Sequence, residues 1–337
     1  MVSYRSSSLT LLSAAAGAAV VLIPVAAPAD AAPGDDAHSR SALNSRVDRL
    51  YHEAEVATEK YNGARERAGR LREQAEHAQD RLARGQGEVN RLRRALGAVA
   101  GAQYRSGGID PTVELLLSSD PAGYLERAAT LDRIGSNQST KLDRLDEAQR
   151  GLARQRSEAT ARLGQLEREQ RALREHKRSV REKLGTAQRL LNRMSPRERA
   201  ERERPSRSGT RGVPDLSGAG ASSARAASAV AAAQSAIGSP YVFGAAGPGV
   251  FDCSGLMQWA YARAGVALPR TSQAQAAAGR SVPLSAARPG DLVVYRDDAS
   301  HIGMYAGGGQ VIHAPYPGAV VRYESVNMMP VHSVVRP

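Results

Sequence analysis

Apolar or small residues recur with unbroken four-and-three spacing from Leu43 through Val47, Leu50, Ala54, Ala57, Tyr61 and Ala64 to Val99. Most of the positions between them are Arg, Glu or Gln. Such spacing lays one apolar stripe along a helix and predicts a coiled-coil seam with a solvated outer face. The pattern breaks at Tyr104–Gly108, with Asp110-Pro111 just beyond, and a short apolar element follows at Val113–Leu117. A second long helix is predicted from about Ala122 to Met194, on a line through Leu145, Leu152, Ala159, Leu166, Leu173, Val180 and Ala187. Its neighbouring stripe is sparser, carried by Leu142, Leu163, Leu184 and Leu191. Two helices of similar length close most simply as an antiparallel hairpin over residues 41–194. Parallel dimerisation through the first helix is the alternative.

Residues 195–222 carry Pro205, Pro214, Gly218 and Gly220 among polar residues and read as a flexible linker. From 223 to 337 the pattern changes again. Ala226–Ile237 reads as a short Ala-rich helix ending at Gly238-Ser239-Pro240. Leu256, Trp259, Ala260 and Ala264 continue at helical spacing after Phe251-Asp252-Cys253-Ser254-Gly255, which places Cys253 at a helix start. Strands are predicted at Leu292–Tyr295, His301–Tyr305 and Gln310–His313, with further strands at Val320–Tyr323 and Val331–Val335. The class is α+β, a helix carrying Cys253 packed on a small antiparallel sheet behind a long helical arm.

The first 31 residues change the setting. Arg5, the apolar run from Leu11 to Val25 and the small-x-small site Ala29-Asp30-Ala31 read as a cleaved export signal, so a secreted, extracellular or cell-wall protein is expected. A single Cys in an exported chain cannot form an internal disulfide. Cys253 is then an intermolecular partner, a buried small hydrophobe or a reactive thiol. Net charge is +12, of which the region from Ser223 onward carries only +3. The basic surface therefore belongs to the arm and linker, suited to anionic envelope polymers or headgroups. Export and the lack of an aromatic-interleaved basic groove argue against nucleic acid as a partner.

A helix start exposes unpaired N–H groups and the positive end of the dipole, which lowers a thiol from its usual ~8.5. A thiol needs a base, and a base needs an orienting group. His301 and His313 each lie six residues from Gly307. A turn of odd length or a bulge there sets both on one sheet face, ~5 Å apart at Cβ; a two-residue turn sets them on opposite faces. His52, His77 and His176 sit among Arg and Glu and read as solvated, while His332 reads as a surface or packing residue. Asp291, in Pro289-Gly290-Asp291, reads as part of a turn entering a strand. No His and carboxylate cluster shows ligand spacing with the single Cys, so neither a metal nor another cofactor is expected.

The segments Tyr241-Val242-Phe243-Gly244, Phe251–Leu256, Leu268–Ser272, Pro289–Leu292, His301–Tyr305 and Val311–Pro315 together resemble the NlpC superfamily of papain-like cell-wall cysteine endopeptidases. The exported helical arm resembles the actinobacterial members of that group. The resemblance implies hydrolysis within peptidoglycan stem peptides, between D-glutamate and the following diamino acid. It implies Cys253 as nucleophile, His301 as general base and His313 as the orienting residue. It also implies that Tyr241 borders the site and helps hold the oxyanion, and that Asp252 and Ser254 shape the groove. One departure is Ala245, where the family often has a second glycine. A transpeptidase or acyltransferase using the same Cys, or a non-catalytic wall scaffold, are the rival classes. For the arm two roles stand: folding back over the Cys253 groove until a membrane complex opens it, as the resemblance implies, or recruitment.

Overall fold

The computed structural model describes residues 33–105, 113, 117, 121–203 and 220–337. The export signal, most of the Val113–Leu117 element and residues 204–219 of the linker lie outside the described residues. Contacts divide the chain at Asn44/Ser45, and all that follows concerns the unit Ser45–Pro337.

Helix α1 (Pro33–Arg105) and helix α2 (Pro121–Leu191) form the arm. Lys183 pairs with Glu53, Arg67 with Glu169 at 3.1 Å and Arg81 with Glu158 at 2.8 Å, so the two helices run antiparallel. The α1 stripe is buried at Val47, Ala54, Ala57, Ala64, Ala68, Ala75, Ala78 and Val89. On α2 the sparse stripe is weakly used: Leu142 and Leu163 are 56% and 38% exposed. No described helix is long and apolar enough to cross a membrane.

The segment assigned to linker begins with a helix instead, α3 (Pro196–Glu203). Ser195 caps it: the Ser195 hydroxyl accepts from the Glu198 N–H, and the Glu198 carboxylate accepts from the Ser195 N–H at 2.7 Å. That reciprocal pair satisfies two amides otherwise left open at a helix start. Arg202 of α3 pairs with Asp48 and lies over the Tyr51 ring, which ties α3 to α1.

The C-terminal domain contains α4 (Ala224–Ser235), α5 (Cys253–Arg263), the short α6 (Ser272–Gln275) and six strands. These are β1 (Arg280–Val282), β2 (Leu292–Tyr295), β3 (His301–Gly307), β4 (Gln310–His313), β5 (Arg322–Ser325) and β6 (Val331–Arg336). The sheet order is β1-β6-β2-β3-β4-β5, antiparallel throughout. Alternation along the strands sends Leu292, Val294, Ile302, Met304 and Ile312 into a core shared with Ala229, Leu256, Met257 and Ala260 of α4 and α5. Val293, Tyr295, Val311 and Val334 form a second cluster with Val282 and Val326. Neither cluster draws on the arm, so residues 223–337 carry a complete core of their own.

Candidate active site

Cys253 stands at the first position of α5 because Asp252 ends the extended segment before it. Asp252 has φ −97° and ψ 177°, and its carboxylate accepts from the Gly255 N–H at 2.7 Å. A Cβ on Gly255 would lie 2.1 Å from the Ala245 carbonyl oxygen, so only glycine lets the 244–247 loop close over the helix start. Both Asp252 oxygens are occupied: Arg270 binds them at 3.0 and 2.6 Å, and the Gly244 N–H donates at 3.0 Å. Asp252 therefore fixes the backbone around the start of α5, with its own carboxylate already paired. Ala245, the departure from the family pattern, is not among the residues of positive φ, so its methyl group brings no backbone strain.

The two histidines meet through a bulge. Register slips between Tyr305 and Gly307, as one of the two turn alternatives requires. His301 opens β3 and His313 closes β4, both fully buried, with Nε2 of His301 2.8 Å from Nδ1 of His313. Gly303 makes room: a Cβ there would press the His313 Cβ at 3.2 Å. Sequence reasoning missed Glu324, whose carboxylate faces His313 Nε2 at 3.5 Å.

Burial, against a smaller opposing pull from Glu324, pushes His313 down to about 4. Burial pushes Glu324 up, but His313 and Arg322 overcome it and hold Glu324 at about 2. At 3.5 Å the Glu324 carboxylate does not bond His313 Nε2, but its charge favours a neutral His313 with the proton on Nε2, in which Nδ1 accepts from His301 Nε2–H. His301 Nδ1 is then the ring nitrogen turned away from His313 and toward Glu55. Because the folded value of His313 is depressed, its contribution to stability is complete above the unfolded value near ~6.5 and is lost as pH falls to about 4. Nitrogen-15 NMR of the His313 ring should accordingly show a neutral imidazole down to pH 5. Protonation with a midpoint near 6.5 would contradict this arrangement.

The arm closes the site. Cys253 is fully buried beneath a stripe on α1 that the sequence analysis took for solvated surface. Glu55, buried, pairs with His301 through Nδ1 and with Arg296. Glu59, also buried, lies 3.8 Å from Cys253 Sγ, accepts from Ser254 Oγ at 2.7 Å and from the Ser272 N–H at 2.9 Å. Asn62 donates to Asp252 at 3.0 Å, Tyr61 meets Phe243 edge-on, and Tyr51 stacks on Tyr316 at 4.8 Å. His52, expected to be solvated, bonds Asp298 at 2.9 Å.

This cover reverses the expected thiol chemistry. Burial, then Glu59, Glu55 and Asp252, push the Cys253 thiol well above its ordinary value, overriding the helix start. Burial and Asp252 also raise Glu59 to about 8. Burial alone would raise Glu55, but His301 and Arg296 hold it below the usual carboxylate range. Tyr241 is buried, and burial and then Cys253 raise its hydroxyl well above the ordinary value. Asp291, as expected of a structural turn residue, binds Arg336 at 2.7 Å and the Arg288 N–H.

Residues 238–335 match the NlpC/P60 family. The C-terminal domain is an NlpC/P60 domain. Members of this family are cysteine peptidases. The chain is 50% identical over 107 residues to a probable endopeptidase of Corynebacterium glutamicum, covering 32% of this chain and 51% of that protein. It is 46% identical over 114 residues to a probable endopeptidase of Mycobacterium tuberculosis, covering 34% of this chain and 29% of that protein. The chain thus spans about half of the Corynebacterium relative's length and less of the mycobacterial one. Among solved structures, the NlpC/p60 domain of the peptidoglycan hydrolase SagA is 36% identical, with 33% of this chain and 98% of that chain covered and a TM-score of 0.32. The Ala245 departure does not prevent the match.

Proposed function

We propose that this protein is a peptidoglycan endopeptidase that cuts stem peptides between D-glutamate and the following diamino acid. It acts at the cell wall outside the membrane, and its arm holds it inactive until a membrane partner complex draws α1 away. The observation that carries the reading is the relay Glu324–His313–His301 ending at the Nδ1 atom beside Cys253, within an NlpC/P60 domain.

With α1 withdrawn, the Cys253 proton passes to His301 Nδ1 and the thiolate attacks the scissile carbonyl carbon. The oxyanion takes hydrogen bonds from backbone N–H groups at the start of α5 and from the Tyr241 hydroxyl. The tetrahedral intermediate collapses, the C–N bond breaks and the amine leaves with the proton from His301 Nδ1. Water, deprotonated by the same nitrogen, then releases the acid and restores the thiol. Ser254 and the Ser272 N–H, which hold the Glu59 carboxyl in the closed arrangement, are left facing the substrate groove. Glu55 blocks the first step, since it occupies the nitrogen that must receive the thiol proton.

Incubating residues 223–337 with defined stem peptides and weighing the products by mass spectrometry tests the bond. New termini after D-glutamate are expected. Cleavage at another bond, or transfer to an added amine in excess of hydrolysis, would refute the assignment.

A further inference from the structure

The trio that shuts the site has a second chemical capacity. Glu55, Cys253 and His301 each offer one donor atom, and the three atoms lie within 4.8 Å of one another with all three residues buried. Thiolate, imidazole and carboxylate are the ligand set of zinc, at ~2.3, ~2.0 and ~2.0 Å from the ion. Donors around such an ion stand about 3.3–3.8 Å apart, so the widest separation here has to close by about 1 Å. We propose that Glu55, Cys253 and His301 form a binding site for a zinc-class divalent cation, which clamps the arm to the catalytic domain.

The surroundings suit a cation. Asp252, paired with Arg270, sets a carboxylate near Cys253, and Glu59 adds a carboxyl 3.8 Å from the sulfur that a bound cation would favour in its ionised form. Metal-bound imidazoles characteristically donate their other N–H to a fixed acceptor, and His301 Nε2 already faces His313 Nδ1 at 2.8 Å. Arg296 holds one Glu55 oxygen and His301 Nδ1 the other, so an ion entering here has to part the Glu55–His301 pair while keeping the Arg296 contact. On binding, Cys253 gives up its proton to solvent, and the ion takes the place of the proton shared by Glu55 and His301 Nδ1. Three protein ligands leave a fourth position for water. Sequence spacing could not disclose the site, because Glu55 and His301 lie 246 residues apart. The ion would bind only while α1 is docked, so it makes release of the arm dependent on losing it as well.

Cobalt(II) titration of the untagged intact chain tests this without reference to turnover, so its failure is separate from failure of the peptidase reading. One cobalt per chain is expected, with thiolate-to-metal charge-transfer absorption and displacement by one equivalent of zinc but not by magnesium. Cys253→Ser should abolish the absorption, and Glu55→Gln should weaken binding at least ~tenfold. No stoichiometric site, binding without the sulfur absorption, or equal affinity in Glu55→Gln would overturn the proposal. So would equal affinity in residues 223–337, which carry Cys253 and His301 but lack α1.

Discussion

Replacing Glu55 and Glu59 together by alanine in the intact chain is expected to raise kcat/KM on a soluble stem peptide by about 10²–10³-fold. Glu55 pairs with fully buried His301 and half-buried Arg296, and removing its carboxylate leaves both without that partner in the docked arrangement. With Arg296 partly exposed, the cost lies at the lower end of the range for a broken buried pair, about 3–4 kcal/mol, which shifts docked against undocked by that ratio. The two acids differ in a way that single substitutions separate. Glu59 is raised to about 8, so its carboxyl is largely protonated at neutral pH, and Glu59→Gln should leave the arm docked. Glu55 is held charged, and Glu55→Gln should release it. Rates of Cys253 alkylation should follow the same order, since burial under α1 is what shields the sulfur. Equal activity and alkylation in the parent, Glu55→Gln and the double alanine variant would show that these acids do not govern access.

The substitutions with the opposite sign act on the chemistry itself. In residues 223–337, Cys253→Ala should lower kcat/KM on the order of 10⁴-fold or more, because no other group can form the acyl-enzyme. His301→Ala should lower it by about 10²–10⁴-fold, the usual range for a lost acid–base. His313→Ala should slow turnover while leaving Cys253 open to alkylation, because His313 acts through His301. Undiminished turnover in Cys253→Ala would exclude covalent catalysis at this residue.

Much of this arrangement was legible in the sequence, for reasons that also explain what was not. The four-and-three spacing of Val47 to Val99 demanded a long amphipathic helix, and the helical spacing of Leu256, Trp259, Ala260 and Ala264 placed a helix start at Cys253. Strand β1 was missed because Arg280-Ser281-Val282 offers one inward apolar residue and pairs only with β6. The His301–His313 pairing depended on a bulge that no residue type announces. The larger omission was the face of α1. Tyr51, Glu55, Thr58, Asn62 and Arg65 repeat four and three apart, one position beyond the apolar seam. A second stripe with that spacing is a trace of a second partner, but its acids match those of a solvated face. Their burial is created by a surface hundreds of residues away, and the expected depression of the Cys253 thiol failed for the same reason.

The account rests on a competent Cys–His site held shut by α1. Its most direct test compares kcat/KM of the intact mature chain with that of residues 223–337, on one soluble stem peptide that needs no wall binding. The isolated domain should be faster by at least ~100-fold, matching the predicted cost of stripping Glu55 from its partners. Equal values would contradict the account and leave recruitment as the work of the arm.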